Sequence, residues 1–386
     1  MLLGLDVLLE KHPQKLENLN FSLLANSASI NKNHLYAWDV LLKHYPTTFK
    51  KIFSPQHGLW QEQQANMIES GHTELHGLPV YSLYSETRKP TPEMLDGIDA
   101  VVVDLQDVGT RVYTFIWTLY YCLESAAEKG FKVIILDRPN PIGGTQFEGP
   151  ILNKKYTSFV GLHDIPMRHG LTMGEIARLF VAELGLNVDL EIIAMEGWDR
   201  AMYWDETGLK WMATSPNIPR WESCVPYPGA VILEGTNLSE GRGTTTPFEV
   251  IGAPFIDPYK LEEAVKKHNL SGVDFLPTKF IPTFDKWMNQ TCGGVRIIPT
   301  DLNTFESYRA VLTIMAEIKN LWPNDFEWLG PPYEYEAIKM PIDILTGDTK
   351  VRALFQKETI TQQDIDNVVN FDKSVWTKRI KNHLIY

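Results

Sequence analysis

The 386-residue chain predicts an α/β fold, a Rossmann-like parallel sheet domain joined to a second, smaller α/β domain. Three observations carry this. Short apolar runs alternate with helical patterns over the first part of the chain, the signature of strands joined by crossover helices. The runs are apolar throughout instead of alternating, as strands covered on both faces are. The length also exceeds what one hydrophobic core usually organises, and the pattern changes near residue 250. The predicted units are therefore 1–250 and 251–386, with Gly252-Ala253-Pro254 as the junction.

Phe21–Ala25 (FSLLA) reads as the first strand and is followed by a helical pattern around Leu35–Tyr45. Lys51–Phe53 is a second strand entering the loop SPQHGLWQEQQANMIES. Ala100–Leu105 (AVVVDL) is a third, and Phe115–Lys129 its helix, closed by Gly130. Lys132–Leu136 (KVIIL) runs into DRPNP. Thr172 caps a helix over Met173–Leu184, with Glu175 in the capping-box position and Gly185 as the stop. Leu190–Ala194 gives another strand, and Val231–Leu233 is read as strand-like. Beyond the junction, Asp257–His268 and the region near Phe305–Ile318 read as helices, with KFIPTF and GGVRIIP between them.

Composition narrows the function. With 44% hydrophobic residues, including 11 Trp, 15 Tyr and 17 Phe, the chain has ample material for large interiors. A net charge of −12 argues against a nucleic-acid partner or an anionic membrane surface. It leaves room for a small anion held by a local group of arginines. Cys122, Cys224 and Cys292 are odd in number and widely spaced, which fits neither a disulfide framework nor a zinc site. The opening MLLGLDVLLEKHPQ has no basic residue before its apolar part and is interrupted by Asp6 and Glu10, so it reads as the start of the fold and not as a signal peptide. No run approaches the ~18 apolar residues of a membrane span. A cytoplasmic protein without membrane insertion is the expectation.

Ligands of open α/β sheets bind beyond the carboxyl ends of the strands, and polar residues collect there. FSLLA ends at Asn26; KIF is followed by Gln56, His57 and Glu62; AVVVDL by Gln106, Asp107, Arg111 and Tyr113; KVIIL by Arg138 and Asn140. The run VILEGTNLSEGRGTT adds Glu234, Asn237, Glu240 and Arg242 on glycine-rich backbone. One such cluster can simply satisfy loop backbone; five on one edge point to a pocket. No cofactor device is present. GRGTTT lacks the Walker lysine, no G-x-G-x-x-G follows the first strand, and neither H-E-x-x-H nor G-x-S-x-G occurs. His57, His169 and the nearby acids lack compact ligand spacing, so no metal is expected.

What remains is acid–base chemistry by carboxylates, as glycoside hydrolysis requires. Glu234 and Glu240, six residues apart, can face one cavity from a curved loop, and Arg242 can lower the pKa of one of them. The same residues would equally serve as a Glu–Arg pair pinning a loop.

Seven stretches, FSPQHGLW, GLPVYSLYSETRKPTPEML, DLQDVGTRVYTFIWT, ILDRPNPIGG, RHGLTMGEIA, SPNIP and YPGAVILEGTNLSEGRGTTTPFE, occur in order over about residues 20–255. In these the chain resembles the exo-β-N-acetylmuramidases, long catalogued as a domain of unknown function. The resemblance implies a catalytic domain and a smaller domain closing a cleft. It further implies release of N-acetylmuramic acid from the non-reducing end of peptidoglycan fragments, as in cell-wall recycling, without nucleotide or metal. The implied ligand is an anionic amino sugar or muropeptide, whose lactyl carboxylate Arg88, Arg111, Arg138 or Arg242 would clamp. Asn26, Gln56, Asp107, Tyr113, His169, Asn217 and Asn237 complete the expected binding set, with Glu234, Glu240, His57 and Glu62 as the catalytic candidates. Two departures stand out. Many relatives read P-E-H-G where this chain has Pro55-Gln56-His57-Gly58, and Gln61 stands where glycine is common. An amide cannot exchange a proton, so the work shifts to Glu62, Glu69, Glu234 or Glu240, or the activity is weakened. A muropeptide-binding protein without catalysis, and an amidase or esterase on cell-wall fragments, are the alternatives.

Overall fold

The computed structural model describes residues 1–64, 67–69 and 71–386. Seven strands form the first sheet: β1 (Phe21–Ala25), β2 (Phe49–Ser54), β3 (Thr73–Leu75), β4 (Leu78–Ser82), β5 (Ala100–Asp104), β6 (Lys132–Leu136) and β7 (Leu190–Ile193). Their order is β3-β4-β2-β1-β5-β6-β7, parallel except for β3, which runs antiparallel to β4. Strand order reverses between β1 and β5, the switch point of a doubly wound sheet.

Alternate residues of each strand face opposite sides, and both sides are covered. Leu24, Val101, Val103, Val133 and Ile135 join one core with Trp117 and Phe180 of the helices Phe115–Lys129 and Met173–Leu184. Leu23, Val102, Ile134 and Leu136 join another with Leu5, Leu8, Trp38 and Leu41 of the helices Gly4–Lys11 and Ala37–His44. The first core continues without a break through Ile251 and Val295 to Ile314 and Trp376. These belong to a second, antiparallel sheet, β8 (Val250–Ala253), β9 (Val273–Phe280) and β10 (Cys292–Pro299) in the order β8-β10-β9, and to the helices Ser307–Leu321 and Lys373–Ile380. That last helix turns back to the parallel sheet. Trp376 Nε1 donates to the His169 carbonyl at 3.0 Å, and Tyr386 Oη donates to Asp137 at 2.9 Å.

Helices with explicit stop and start chemistry fall where the sequence places them. Phe115–Lys129 ends at Gly130 and Met173–Leu184 at Gly185, both left-handed. The Thr172–Glu175 capping box is formed in both directions. Val231–Leu233 is a correction: it lies in a 3-10 turn, Val231–Gly235, continuing the helical turn Tyr227–Ala230. A short buried apolar run has the same composition in either conformation. A Cβ at Gly235 would come within 2.8 Å of the Ile342 backbone nitrogen, so this turn packs directly on the helix Pro341–Thr346. The β3–β4 hairpin is an element the sequence reading lacks. Its two-residue turn, His76-Gly77, has φ of 53° and 79°, both positive as a type I′ hairpin turn demands.

Candidate active site

The segments leaving β2 and β5 meet residues 215–248 and 333–334 around a partly open hollow. Gln56 and His57 come from the first, Val112, Tyr113 and Thr114 from the second, and Ser215, Asn217, Glu234, Arg242, Tyr333 and Glu334 close it. A neighbouring hollow shares Glu234, Arg242 and Tyr333 and adds Glu240, Asp285 and Lys286.

Arg242 stands at the junction of the two. Its Nη2 donates to Glu234 Oε1, its Nε lies 3.4 Å from Glu240 Oε1, and its Nη1 lies 3.9 Å from Asp285. The other oxygen of Glu234 accepts from Tyr333 Oη at 2.6 Å. Glu240 Oε2 is 2.7 Å from Lys286 Nζ, which also donates to the carbonyls of Leu233 and Leu238 at 2.8 and 2.6 Å. Glycine makes the loop possible. Gly243 has φ 77°, and a Cβ there would meet the Phe284 backbone at 2.7 Å, while its carbonyl accepts from Thr283 at 2.9 Å.

The two glutamates titrate apart. Burial pushes Glu234 above the usual carboxylate range, opposed by Arg242 and reinforced by the charge on Glu240. Burial acts on Glu240 too, but Lys286 and Arg242 outweigh it and hold this group below that range. His57 Nδ1 donates to the Gln63 carbonyl at 2.8 Å, which leaves Nε2 as the acceptor. Burial, with the charge of Arg242, lowers its pKa to about 4, so the ring is neutral at ordinary pH.

Of the residues expected from sequence, Gln56, His57, Tyr113, Asn217, Glu234 and Arg242 line the first hollow, and Glu240 lines the second. Asn217 Nδ2 donates to the Gln64 carbonyl at 2.9 Å. The others lie elsewhere. Arg138 holds Asp104 through Nε at 2.5 Å and Nη2 at 2.8 Å and also donates to the Ile30 carbonyl, a buried pair under the sheet edge. Arg111 is fully buried and donates to the carbonyls of Pro150, Ile165 and Leu345. Neither guanidinium lines the first hollow, so neither clamps an anion there; Arg138 lines a separate hollow with Asn31, Lys32 and Gln106. Asp107 and His169 pair with each other at 3.3 Å behind it. Asn26 closes its own turn on Ala28, and Asn237 bridges to the backbone of Asp325 and Glu327. Glu62 is exposed and lines neither hollow. Arg88 lines neither hollow; its guanidinium lies 3.7 Å from the ring centre of Tyr335, the residue after Glu334.

Sequence reading missed Tyr333, Glu334 and Lys286, all distant from the strand ends that guided it. The signal that would have found the first two is GPPYEYE, where paired prolines precede alternating tyrosine and glutamate. Outside the hollows, His163, Asp164 and Glu183 bring ligand-type atoms together. The Arg379 guanidinium lies among them, 3.0 Å from Asp164 and 2.5 Å from Glu183, so the group is a salt-bridge network.

Comparison with known proteins agrees along the whole chain. Residues 21–222 match the N-terminal model and residues 225–386 the C-terminal model of the exo-β-N-acetylmuramidase NamZ family. The chain is 41% identical to the peptidoglycan β-N-acetylmuramidase NamZ of Bacillus subtilis (strain 168), over 99% of this chain and 91% of that protein. Two crystal structures of DUF1343 family proteins from Bacteroides fragilis NCTC 9343 superpose over 100% of this chain and 98% of theirs. Their TM-scores are 0.89 and 0.74, at 31% and 26% identity. With both family models satisfied in order and the parallel sheet and polar hollow in place, the chain belongs to the exo-β-N-acetylmuramidase NamZ family.

Proposed function

We propose that this chain is a glycoside hydrolase that removes a terminal N-acetylmuramic acid residue from the non-reducing end of peptidoglycan fragments. The observation that carries the reading is Glu234. Its buried carboxylate, held by Arg242 and Tyr333, opens on a hollow whose other walls offer amides and hydroxyls from Gln56, Thr114, Ser215 and Asn217. Such a carboxylate stabilises positive charge developing at the anomeric carbon, and such walls hydrogen-bond a sugar. Glu240 is turned to Lys286 and keeps Arg242 in place from behind. Arg88 is the guanidinium for the lactyl carboxylate, since its Nε and Nη2 have no acceptor among the described residues and it stacks on Tyr335, the residue that follows Glu334 of the hollow. The substrate is thus an anionic amino sugar.

The test pairs a chromogenic N-acetylmuramide with the matching N-acetylglucosaminide. The wild-type protein cleaves the first and not the second. E234Q loses at least about 10³-fold in kcat, the scale of a lost electrostatic contact at the reacting centre, and E240Q loses less. R88M raises KM for the muramide and erodes discrimination between the sugars. Equal turnover of both sugars by the wild type, or unchanged kcat in E234Q, defeats the reading.

A further inference from the structure

We propose that Glu334 is the catalytic residue that protonates the departing sugar oxygen, an inference that rests on the glycosidase reading above. Glu334 lines the same hollow as Glu234 and follows directly on Tyr333, the residue that bonds Glu234. Its partners set it apart from the other two buried glutamates. Glu234 and Glu240 each touch a cation, whereas Glu334 accepts from Tyr84 Oη at 2.7 Å and from the Gln56 amide at 3.3 Å, both neutral donors. No Lys or Arg forms an ion pair with it among the described residues.

A carboxyl that is buried, near another negative group and without a cation favours its protonated form. Burial is the main cause that raises the Glu334 pKa; the hydrogen bond from Tyr84 opposes it, the charge of Glu234 adds to it, and the Gln56 hydrogen bond and the charge of Arg242 oppose it more weakly. Gln56 faces this carboxyl but cannot exchange a proton. Its other amide atom, Oε1, accepts from Thr114 at 2.6 Å, so the side chain is anchored as a hydrogen-bonding wall. At that end of the hollow Glu334 is the carboxyl able to exchange a proton. Its placement is also enforced. Glu334 and Tyr335 have φ of 45° and 65°, two consecutive non-glycine residues in the left-handed region, held with Tyr335 under the Arg88 guanidinium. Backbone of that kind persists where its surroundings over-determine it.

In the reaction, the proton of Glu334 passes to the glycosidic oxygen as the bond from that oxygen to the anomeric carbon breaks, and the electron pair of the bond stays on oxygen. Glu234 faces the positive charge left on carbon. Water adds its hydroxide to that carbon and its remaining proton restores Glu334, so no oxidant, reductant or net proton is needed.

A leaving-group comparison tests this. A nitrophenolate departs without a proton, whereas the sugar of a muramyl disaccharide does not. E334Q is expected to lose about 10²- to 10⁴-fold in kcat/KM on the disaccharide and to stay within about tenfold of wild type on the 4-nitrophenyl muramide. The alkaline limb of its pH profile should vanish, although Tyr84, Tyr335, Glu234, Arg242 and His57 still surround the position. The swap Q56E/E334Q, which moves the carboxyl across the 3.3 Å contact, should recover disaccharide cleavage over E334Q. Equal losses on both substrates, a retained alkaline limb, or a swap no better than E334Q overturns the assignment while the glycosidase reading stands. A wild-type protein inert on both substrates overturns both. If E334Q melts well below the wild type, both substrates are compared at a temperature below its transition, where the split between them is independent of the amount of folded enzyme.

Discussion

His57 combines a strained backbone with a place on the wall of the hollow. Its φ of 74° lies in the left-handed region, its ring is buried, and its Nδ1 is tied to the Gln63 carbonyl. The folded pKa is about 4 against 6.5 for an ordinary imidazole. Below pH 6.5 the unfolded chain takes up a proton that the folded chain refuses. Stability contributed by the neutral ring is therefore whole above pH 6.5 and falls as pH drops toward 4. H57N, which tolerates the same backbone and keeps a donor for Gln63, should lack this slope. Urea titrations at several pH values should show the wild type losing up to about 3 kcal/mol relative to H57N over that window; parallel curves would refute it. At this scale the sequence was only partly legible. It named Gln56, His57, Glu234 and Arg242, because unusual polar residues stood out against apolar runs. It misjudged Arg111 and Arg138, because the partners that engage them lie far off in the chain, at Leu345 for one and Asp104 for the other.

Elements were legible where local chemistry marks their ends. Thr172 caps the helix Met173–Leu184 and also donates to Asp137 at 2.7 Å, a carboxyl that burial lifts to about 6. T172A removes the cap and one partner of a buried acid at once. It should lower stability by about 1–2 kcal/mol, with T172S close to wild type, as measured by urea unfolding. An unchanged midpoint in T172A would show that the cap contributes nothing here. By contrast, Val231–Leu233 offered only apolar composition, and tertiary packing against Ile342 decided for a turn over a strand. The β3–β4 hairpin was hidden for a related reason. Its turn uses His76 where Asn or Asp would have announced the positive φ.

On the scale of the whole molecule, the hollow is assembled from chain segments more than 200 residues apart, with Gln56 and Thr114 facing Glu334. Among the described residues no helix is long and apolar enough to cross a membrane. Arg111 spans the assembly. It precedes Val112–Thr114 on one wall, and its Nη2 donates at 2.7 Å to the carbonyl of Leu345, on the helix that packs under Glu234. R111M would remove the side-chain donor from the carbonyls of Pro150 and Leu345, while that of Ile165 keeps the Leu152 N–H, at about 1–3 kcal/mol for each left unpaired, and its melting temperature should fall accordingly. The consequence reaches past stability. Since the Arg111 guanidinium ties these opposite banks, warming an R111M protein should let them drift before the secondary structure dissolves. Turnover would then fade several degrees ahead of the circular-dichroism transition, where in the parent the two losses coincide.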